Sequence, residues 1–317
     1  MELFFECAPK NIFLAPPGYF WSGLDYSGQE LMISAVVSGD TTMLEAFRQP
    51  ELKPHPETGE LCPNPYADLH TITTRSAVFP KIFEGHEWYD WVKIAKTYKV
   101  PNFTEAPRQY GKKTNFSAIY LCNAPTLAIN LGIPEQLAGN ILQGHRKTYA
   151  GYYHWAEQQG AIGEACGWIS TPWLKRVRGV HEANAKGGGS AKLLAPNVCI
   201  QGTGADIAKA AMCRIFRWKE KLNKPIEFAK RPRLIGQVHD ELVPLIPGKC
   251  TLNLDKSKLE ERDNMTVVTK ACWDVPEASY ELALQIRQIM IDVETEAFDG
   301  VLEGRVDMPN PAPWWSK

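Results

Sequence analysis

Four side chains at a four-residue spacing constrain this chain more than any other feature: Arg108, Lys112, Phe116 and Tyr120 in the run RQYGKKTNFSAIY. A step of four residues on an α-helix turns roughly 400°, so successive positions drift by only about 40° and form one winding stripe about 18 Å long. Two cations come first, then a flat ring, then a phenol. That order suits a nucleoside triphosphate, with positive charge for the phosphates and an aromatic surface for the base. An ordinary amphipathic helix with an aromatic core edge and solvated bases has the same spacing, so the stripe alone leaves both readings open.

The chain has 317 residues, room for two ordinary domains or one elaborate one. Hydrophobic content of 44% and charged content of 22% fit a soluble globular protein. Its apolar runs are far shorter than the roughly eighteen residues that span a bilayer, so no membrane partner is expected. The N-terminal MELFFECAPKNIF lacks the charged-then-apolar layout of a signal peptide. Eight cysteines include no CxxC pair, which points to reduced, mostly buried thiols in a cytoplasm rather than to a zinc or redox motif. A net charge of −1 argues against a broad phosphate-binding face. Contact with nucleic acid then needs a local basic surface, for which Lys112, Lys113, Arg146, Lys147, Lys175, Arg176, Arg178, Lys186 and Lys192 are available. A solvated, charge-balanced surface is the plainer account of most of them.

Residues 12–27 read as short strands around a Pro-Pro-Gly turn, and residues 28–38 as a helix. Residues 50–66, rich in Pro, Gly and Asn, read as a loop. Residues 68–165 are mostly helical, with Asp68 as an N-cap, Thr104 capping a turn that leads to Pro107, and Pro134 in a helix first turn. Residues 167–195 form a basic loop ending in Lys-Gly-Gly-Gly-Ser, a flexible connector that lacks the P-loop pattern. A helix spans 203–222, and RLIGQVHDELVPLIP reads as a hairpin with a polar tip at His239, Asp240 and Glu241. Residues 248–272 are a polar excursion, and 277–299 a last amphipathic helix. Strands at both ends and helices between them indicate an α+β fold, an antiparallel sheet with an inserted helical lobe.

Two further segments carry chemistry. In GLDYSGQEL, Asp25 ends an apolar strand where a buried element opens to solvent. Asp240 and its neighbour Glu241 sit on the hairpin tip. Magnesium takes oxygen ligands and keeps several waters, so two protein carboxylates and a substrate phosphate suffice to hold it. Two such ions about 4 Å apart stabilise the attacking and leaving oxygens of a phosphoryl displacement.

Taken in order, DYSGQEL, the Arg108-Lys112-Phe116-Tyr120 helix and QVHDEL resemble the palm and fingers motifs of family A DNA polymerases, the DNA polymerase I group. Asp68-Leu-His70 and the segment from Asn197 through Gln201-Gly-Thr-Gly-Ala-Asp206 match as well, so the resemblance is collinear from about residue 13 to about residue 246. It implies a palm over 1–66 and 196–317 and fingers over 67–195. It implies two Mg²⁺ ions on Asp25, Asp240 and the Tyr26 carbonyl, and contacts from Arg108, Lys112 and His70 to the triphosphate of a dNTP. Lys112 is the implied proton donor to pyrophosphate, Phe116 stacks on base or sugar, Tyr120 guards the templating position, and Glu30 is the steric gate, with Gln29 beside it in the dNTP set. Asn197, Gln201, His239 and Arg176 fall to the primer–template DNA, and Glu241 supports the site.

The chain departs from the family pattern at Gly28-Gln29, Met32, Ser117 and Leu121, the last two standing where glycines are usual, and Gly111 adds a helix-interior glycine. The family's thumb and 3′–5′ exonuclease have no counterpart in this sequence, and Asp292-Val-Glu294 is too close to its end to open an exonuclease carboxylate set. The expectation is therefore a phage-type polymerase acting in the cytoplasm of an infected bacterium, with a second polypeptide supplying a thumb and perhaps an exonuclease. The alternatives are a single-subunit RNA polymerase-like enzyme, against which Glu30 and Phe116 speak, and a non-catalytic DNA-binding remnant.

Overall fold

The computed structural model describes residues 3–5, 14–180, 190–222, 231–262, 265–309 and 311–313. In chain order, strands β1 (Leu3–Phe5), β2 (Tyr19–Trp21) and β3 (Leu24–Tyr26) lead into helices α1 (Gln29–Ser38) and α2 (Thr41–Arg48). A hairpin of β4 (Leu52–Pro54) and β5 (Leu61–Pro63) precedes α3 (Leu69–Thr73), which continues as a π turn over Thr74–Val78. Helices α4 (Trp88–Thr97), α5 (Pro107–Ile119), α6 (Ala124–Leu131), α7 (Glu135–Thr148) and α8 (Ala150–Cys166) follow. Then come β6 (Trp168–Ser170), β7 (Val177–Gly179), the long helix α9 (Ala191–Lys221), β8 (Arg233–Val238) and β9 (Glu241–Pro247). The chain closes with β10 (Thr251–Leu252), β11 (Lys258–Arg262), β12 (Met265–Lys270), β13 (Trp273–Asp274), α10 (Glu277–Ala297) and β14 (Val306–Asp307). The fold is α+β, and it divides into two compact units, Met1–Gln29 with Gly204–Lys317, and Glu30–Thr203.

Those divisions differ from the 66/67 and 195/196 boundaries expected from sequence. Residues 30–66 group with the helical unit because specific bonds hold them there. Asp40 caps α2 by accepting from Met43 N and also accepts from Tyr152 N at 3.1 Å.

The first unit is built on a sheet of order β14-β3-β9-β2, with β8 also paired to β9, and every pairing within it is antiparallel. Residues 241–246 of β9 are all buried, as a central strand's are. On α10, Ala283, Ile286, Met290 and Val293 are buried, and the Tyr26 hydroxyl donates to the Met290 carbonyl at 3.4 Å. The described residues of 248–272 include the strands β10, β11 and β12. β11 pairs with β12 and β10 with β13, in strands too short and polar to announce themselves by alternation. Residues 50–66 likewise contain the β4–β5 hairpin, whose paired strands end in Pro54 and Pro63. Prolines at strand ends hid it.

In the second unit the helices begin and end where side chains satisfy their free backbone groups. Asn123 caps α6 by accepting from Thr126 N, and Gly132 ends it in the left-handed region at φ 65°. Thr104 lies two residues before the N-cap of α5. The N-cap is Ala106 with no side-chain bond, and Pro107 at the first position has no N–H to satisfy. Pro134 is itself the N-cap of α7. The basic loop of 167–195 contains the β6–β7 hairpin, its Lys-Gly-Gly-Gly run falls outside the described residues, and α9 starts at Ala191. Pro196 in the second turn of α9 explains why the sequence signals the helix only from 203. Val78, Tyr110, Leu127, Leu131 and Ile141 are buried together as this unit's core, with Phe79, Phe103 and Tyr110 in edge-to-face pairs. Seven described cysteines are free, and of these only Cys199 is buried, so thiol burial is less general than expected.

Gly111 has a packing reason that its helix-interior position conceals. A Cβ there would collide with Thr74 Oγ1 and the His70 carbonyl oxygen, because α3 and its π turn lie directly against α5. Thr74 Oγ1 also donates to that carbonyl at 2.6 Å, so both atoms are held in place. Gly111→Ala, which in a free helix gains about 1 kcal/mol, is expected to lose about 1–3 kcal/mol here, read as a lower urea midpoint at unchanged m-value.

Candidate active site

Two sets of candidate groups lie one in each unit. In the first, β3 and β9 place Asp25 directly opposite Glu241, and β14 places Asp307 opposite Asp25 on the other side. Directly paired residues in antiparallel strands project to the same face, so the three carboxylates form a row across three strands. Glu241 is buried, Asp25 half-buried and Asp307 exposed. Asp240 lies in the two-residue turn between β8 and β9, and its carbonyl accepts from Tyr26 N at 3.4 Å, which brings Asp240 to the end of β3 beside Asp25. His239 holds the turn at φ 56°, a left-handed conformation for a non-glycine residue, with its carbonyl accepting from Gln237 Nε2 at 2.9 Å. Among the described residues no group of three or more His, Cys, Asp or Glu side chains is arranged to cage a metal ion. Asp25 and Asp240 are an open set of hard oxygen donors, the kind magnesium accepts with waters and substrate oxygens completing the shell. Asp307 was not legible as part of this edge, because its place depends on a pairing 282 residues along the chain.

Gln29, expected from sequence with the dNTP set, is buried in the first unit. It is 5% exposed, and its amide approaches Glu294 on α10, although Gln29 Nε2 and Glu294 Oε1 both stay outside hydrogen-bonding geometry. Burial, together with the charge of Asp240, pushes the fully buried Glu294 up to about 8 against the opposing pull of Arg305 and Gln29. Glu294 Oε2 accepts from Arg305 N at 2.8 Å, just before β14. The Asp292-Val-Glu294 string lies on α10, with the Glu294 carboxyl buried in the first unit.

In the second unit Arg108, Lys112 and Phe116 lie on α5, and Tyr120 is the residue that caps its C-terminus. The stripe therefore has three positions on the helix and a fourth just past its end. Asp68 holds Arg108 in a two-pronged pair, Nε donating to Oδ2 at 2.6 Å and Nη2 to Oδ1 at 3.0 Å. The same carboxylate caps α3 by accepting from His70 N and also accepts from Thr71 Oγ1. Burial raises the Asp68 pKa, but hydrogen bonds from Arg108 and Thr71 and the Arg108 charge outweigh it, so the carboxyl sits below its usual range. Among the described residues two of the five guanidinium N–H groups are used, leaving others for a ligand. Lys113 pairs with Glu105 at 2.8 Å, whereas Lys112 is exposed, has no carboxylate partner among the described residues, and lies 6.0 Å from the Phe116 ring centre. The His70 ring lies 6.0 Å from that of Phe116. Burial first, then the charges of Arg108 and Lys112, lower the His70 pKa to about 4 against the pull of Asp68.

Tyr120 joins Glu30 and Gln201. Gln201 Nε2 donates to the Tyr120 hydroxyl at 3.2 Å, and burial followed by interaction with the Glu30 carboxylate raises the phenol's pKa. Arg176 Nη2 donates to the Gly202 carbonyl at 3.0 Å, fastening the β6–β7 hairpin to α9. Asn197 Oδ1 is buried with no partner among the described residues. Of the basic residues considered for a nucleic-acid surface, Lys113, Arg146 and Lys192 pair with Glu105, Glu157 and Glu164, which favours the charge-balanced account for those three, and Lys186 lies outside the described residues.

Leu121 turns the chain after Tyr120. Its φ is 55°, Leu121 N donates to the Ala118 carbonyl and Cys122 N to the Ser117 carbonyl, which is a Schellman ending with leucine where glycine is usual. Leu121→Gly is expected to relieve about 1 kcal/mol of left-handed strain and raise Tm by about 2–4 °C. An unchanged or lower Tm would show that Leu121 contacts outweigh the strain.

The family model for DNA polymerase family A matches residues 88–277. The chain is 27% identical over 240 residues to the DNA polymerase of Mycobacterium phage D29, covering 76% of this chain and 31% of that protein. It is 26% identical over 288 residues to the thermostable DNA polymerase I of Thermus aquaticus, covering 87% of this chain and 27% of that protein. The chain thus spans about a third or less of these relatives' length. Among solved structures, the polymerase domain of Pol1 from M. smegmatis, in complex with DNA primer-template and dNTP, superposes with a TM-score of 0.61 at 21% identity over 96% of this chain and 42% of that one. With the family model matching more than half of its length, the chain belongs to DNA polymerase family A.

Proposed function

We propose that the chain carries out template-directed DNA synthesis, joining the α-phosphorus of a dNTP to a primer 3′-oxygen and releasing pyrophosphate. The observation that carries this reading is the placement of Asp25 and Asp240 together at the end of β3, in a family A polymerase that also carries Arg108, Lys112 and Phe116 on one helix. Two magnesium ions, when bound, supply charge neutralisation and a more acidic primer hydroxyl. Asp25, Asp240 and the Tyr26 carbonyl are the groups that would hold them, and Glu241 supports the strand end. Arg108 and His70 take phosphate oxygens, Lys112 gives a proton to the departing pyrophosphate, and Phe116 stacks on base or sugar. Glu30 fills the volume of a ribose 2′-hydroxyl and so favours deoxynucleotides, and Tyr120 guards the templating position. Asn197, Gln201, His239 and Arg176 contact primer–template. Phosphoryl transfer asks mainly for positioning and charge neutralisation, which these groups supply.

The phage polymerase among the relatives supports a bacterial host cytoplasm as the place of action. Among the described residues no helix is long and apolar enough to cross a membrane. The direct test is primer extension with Mg²⁺ and dNTPs or rNTPs, with and without host extract as a source of a second polypeptide. Incorporation of dNTPs in preference to rNTPs is expected. A folded chain that incorporates nothing under either condition, while still retarding DNA in a gel, would replace this reading with a DNA-binding remnant. Equal use of rNTPs would favour an RNA polymerase-like enzyme.

A further inference from the structure

We propose that Asn115 is a positioning residue that holds His70 as the neutral tautomer with its proton on Nε2, so that His70 offers an N–H donor and not a charge to phosphate oxygens. The last step, that a triphosphate is the acceptor, rests on the polymerase reading above. The assignment of the proton does not.

The Leu69 carbonyl can only accept, and Asn115 Nδ2 lies 3.3 Å from it, so that end of the side chain is the amide nitrogen. The same nitrogen lies 3.0 Å from His70 Nδ1. An amide nitrogen cannot accept, so Nδ1 must, and it carries no proton. A neutral ring then has its proton on Nε2, which makes no hydrogen bond among the described residues. The other end of Asn115 agrees. Oδ1 can only accept, and it receives Thr73 Oγ1–H at 2.6 Å and His145 Nε2–H at 3.0 Å. His145 Nδ1 is left to accept from the Tyr153 hydroxyl at 3.0 Å. Asn115 and His145 are each 2% exposed, and burial lowers the His145 pKa to about 3, which favours a single proton on that ring. Four elements contribute, α3, α5, α7 and α8.

The charged groups around His70 point the same way. Burial disfavours an imidazolium most, Arg108 and Lys112 add to it, and Asp68 alone pulls the other way. A cationic ring would also have to place an N–H against the Asn115 amide hydrogens. His70 thus adds direction to the charge that Arg108 and Lys112 supply.

The test is ¹⁵N NMR of the full chain labelled at histidine, with the His70 signal assigned by its loss in His70→Gln. The expected wild-type spectrum between pH 6 and 8 has His70 protonated at Nε2 and bare at Nδ1. In Asn115→Asp the carboxylate accepts from Nδ1–H, so the His70 titration is expected to move up by about one to three pH units. The KM for dNTP should then vary between pH 6 and 8 where the wild-type value stays flat, a change that simple loosening of the fold does not produce. A wild-type His70 with its proton on Nδ1, or charged at pH 7, overturns the proposal, and this holds even if Asn115→Asp fails to fold. So does an unmoved His70 titration in a folded Asn115→Asp. The expected tautomer in a chain that extends no primer would instead overturn the polymerase reading and leave the role of Asn115 standing.

Discussion

Asp240→Ala is expected to reduce primer extension by about 10³-fold or more while leaving the melting temperature nearly unchanged. Loss of a metal-holding carboxylate removes several kcal/mol of charge stabilisation, and about 4 kcal/mol is a factor of about 10³ in rate. Asp240 sits in a two-residue turn outside the β8–β9 ladder, where side-chain truncation costs little stability. Asp25→Ala should match it in activity but differ in stability. Asp25 lies in register between Glu241 and Asp307, and like charges directly across strands repel. Removing the middle carboxylate should therefore leave the folded chain as stable or slightly more stable at low salt and without Mg²⁺. Activity lost while stability holds or rises marks a residue kept for function against the interest of the fold. Primer extension beside thermal melts in EDTA reads both quantities. Residual extension above about a tenth of wild type in either variant would remove these carboxylates from the metal site.

The sequence made the fold class and the main elements legible because the signals were local. The hairpin around His239 and Asp240 has two apolar arms and a polar tip, and the structure has strands at 233–238 and 241–247. The last helix was expected over 277–299 and spans Glu277–Ala297. What stayed hidden depends on pairings between distant residues. Asp68 reads as a helix cap, and it is one, but its second role as the clamp on Arg108 joins positions 40 residues apart. Asn115 is an unremarked polar residue between Thr114 and Phe116, yet it faces two histidines from different helices, the half-buried His70 and the buried His145. Gln29 stands next to Glu30 in sequence, and adjacent residues at a helix start point in different directions. Gln29 is buried beside Glu294 while Glu30 interacts with Tyr120. Gly111 misleads in the opposite sense, since a helix-interior glycine that looks like a weakness is the space that lets α3 and its π turn reach α5.

Lys112→Ala is expected to lower kcat for nucleotide incorporation by about 10²–10⁴-fold, the range for loss of a general acid, with a smaller rise in the KM for dNTP. The two adjacent lysines make an internal control. Lys113 is paired with Glu105, and exposed pairs of this kind contribute little, so Lys113→Ala should stay within about threefold of wild type in both constants. Lys112 has no such partner among the described residues and sits over the Phe116 ring, four residues along the same helix face. Lys112→Arg separates charge from proton transfer. Arginine keeps the positive charge and should hold KM near wild type, but its guanidinium stays protonated and gives up a proton far less readily, so kcat should recover only in part. If Lys112→Arg restores kcat fully, the residue acts as charge alone, and the proton for pyrophosphate comes from elsewhere. If Lys112→Ala raises KM and leaves kcat unchanged, the lysine binds ground state and transition state equally, and its role is confined to holding the triphosphate.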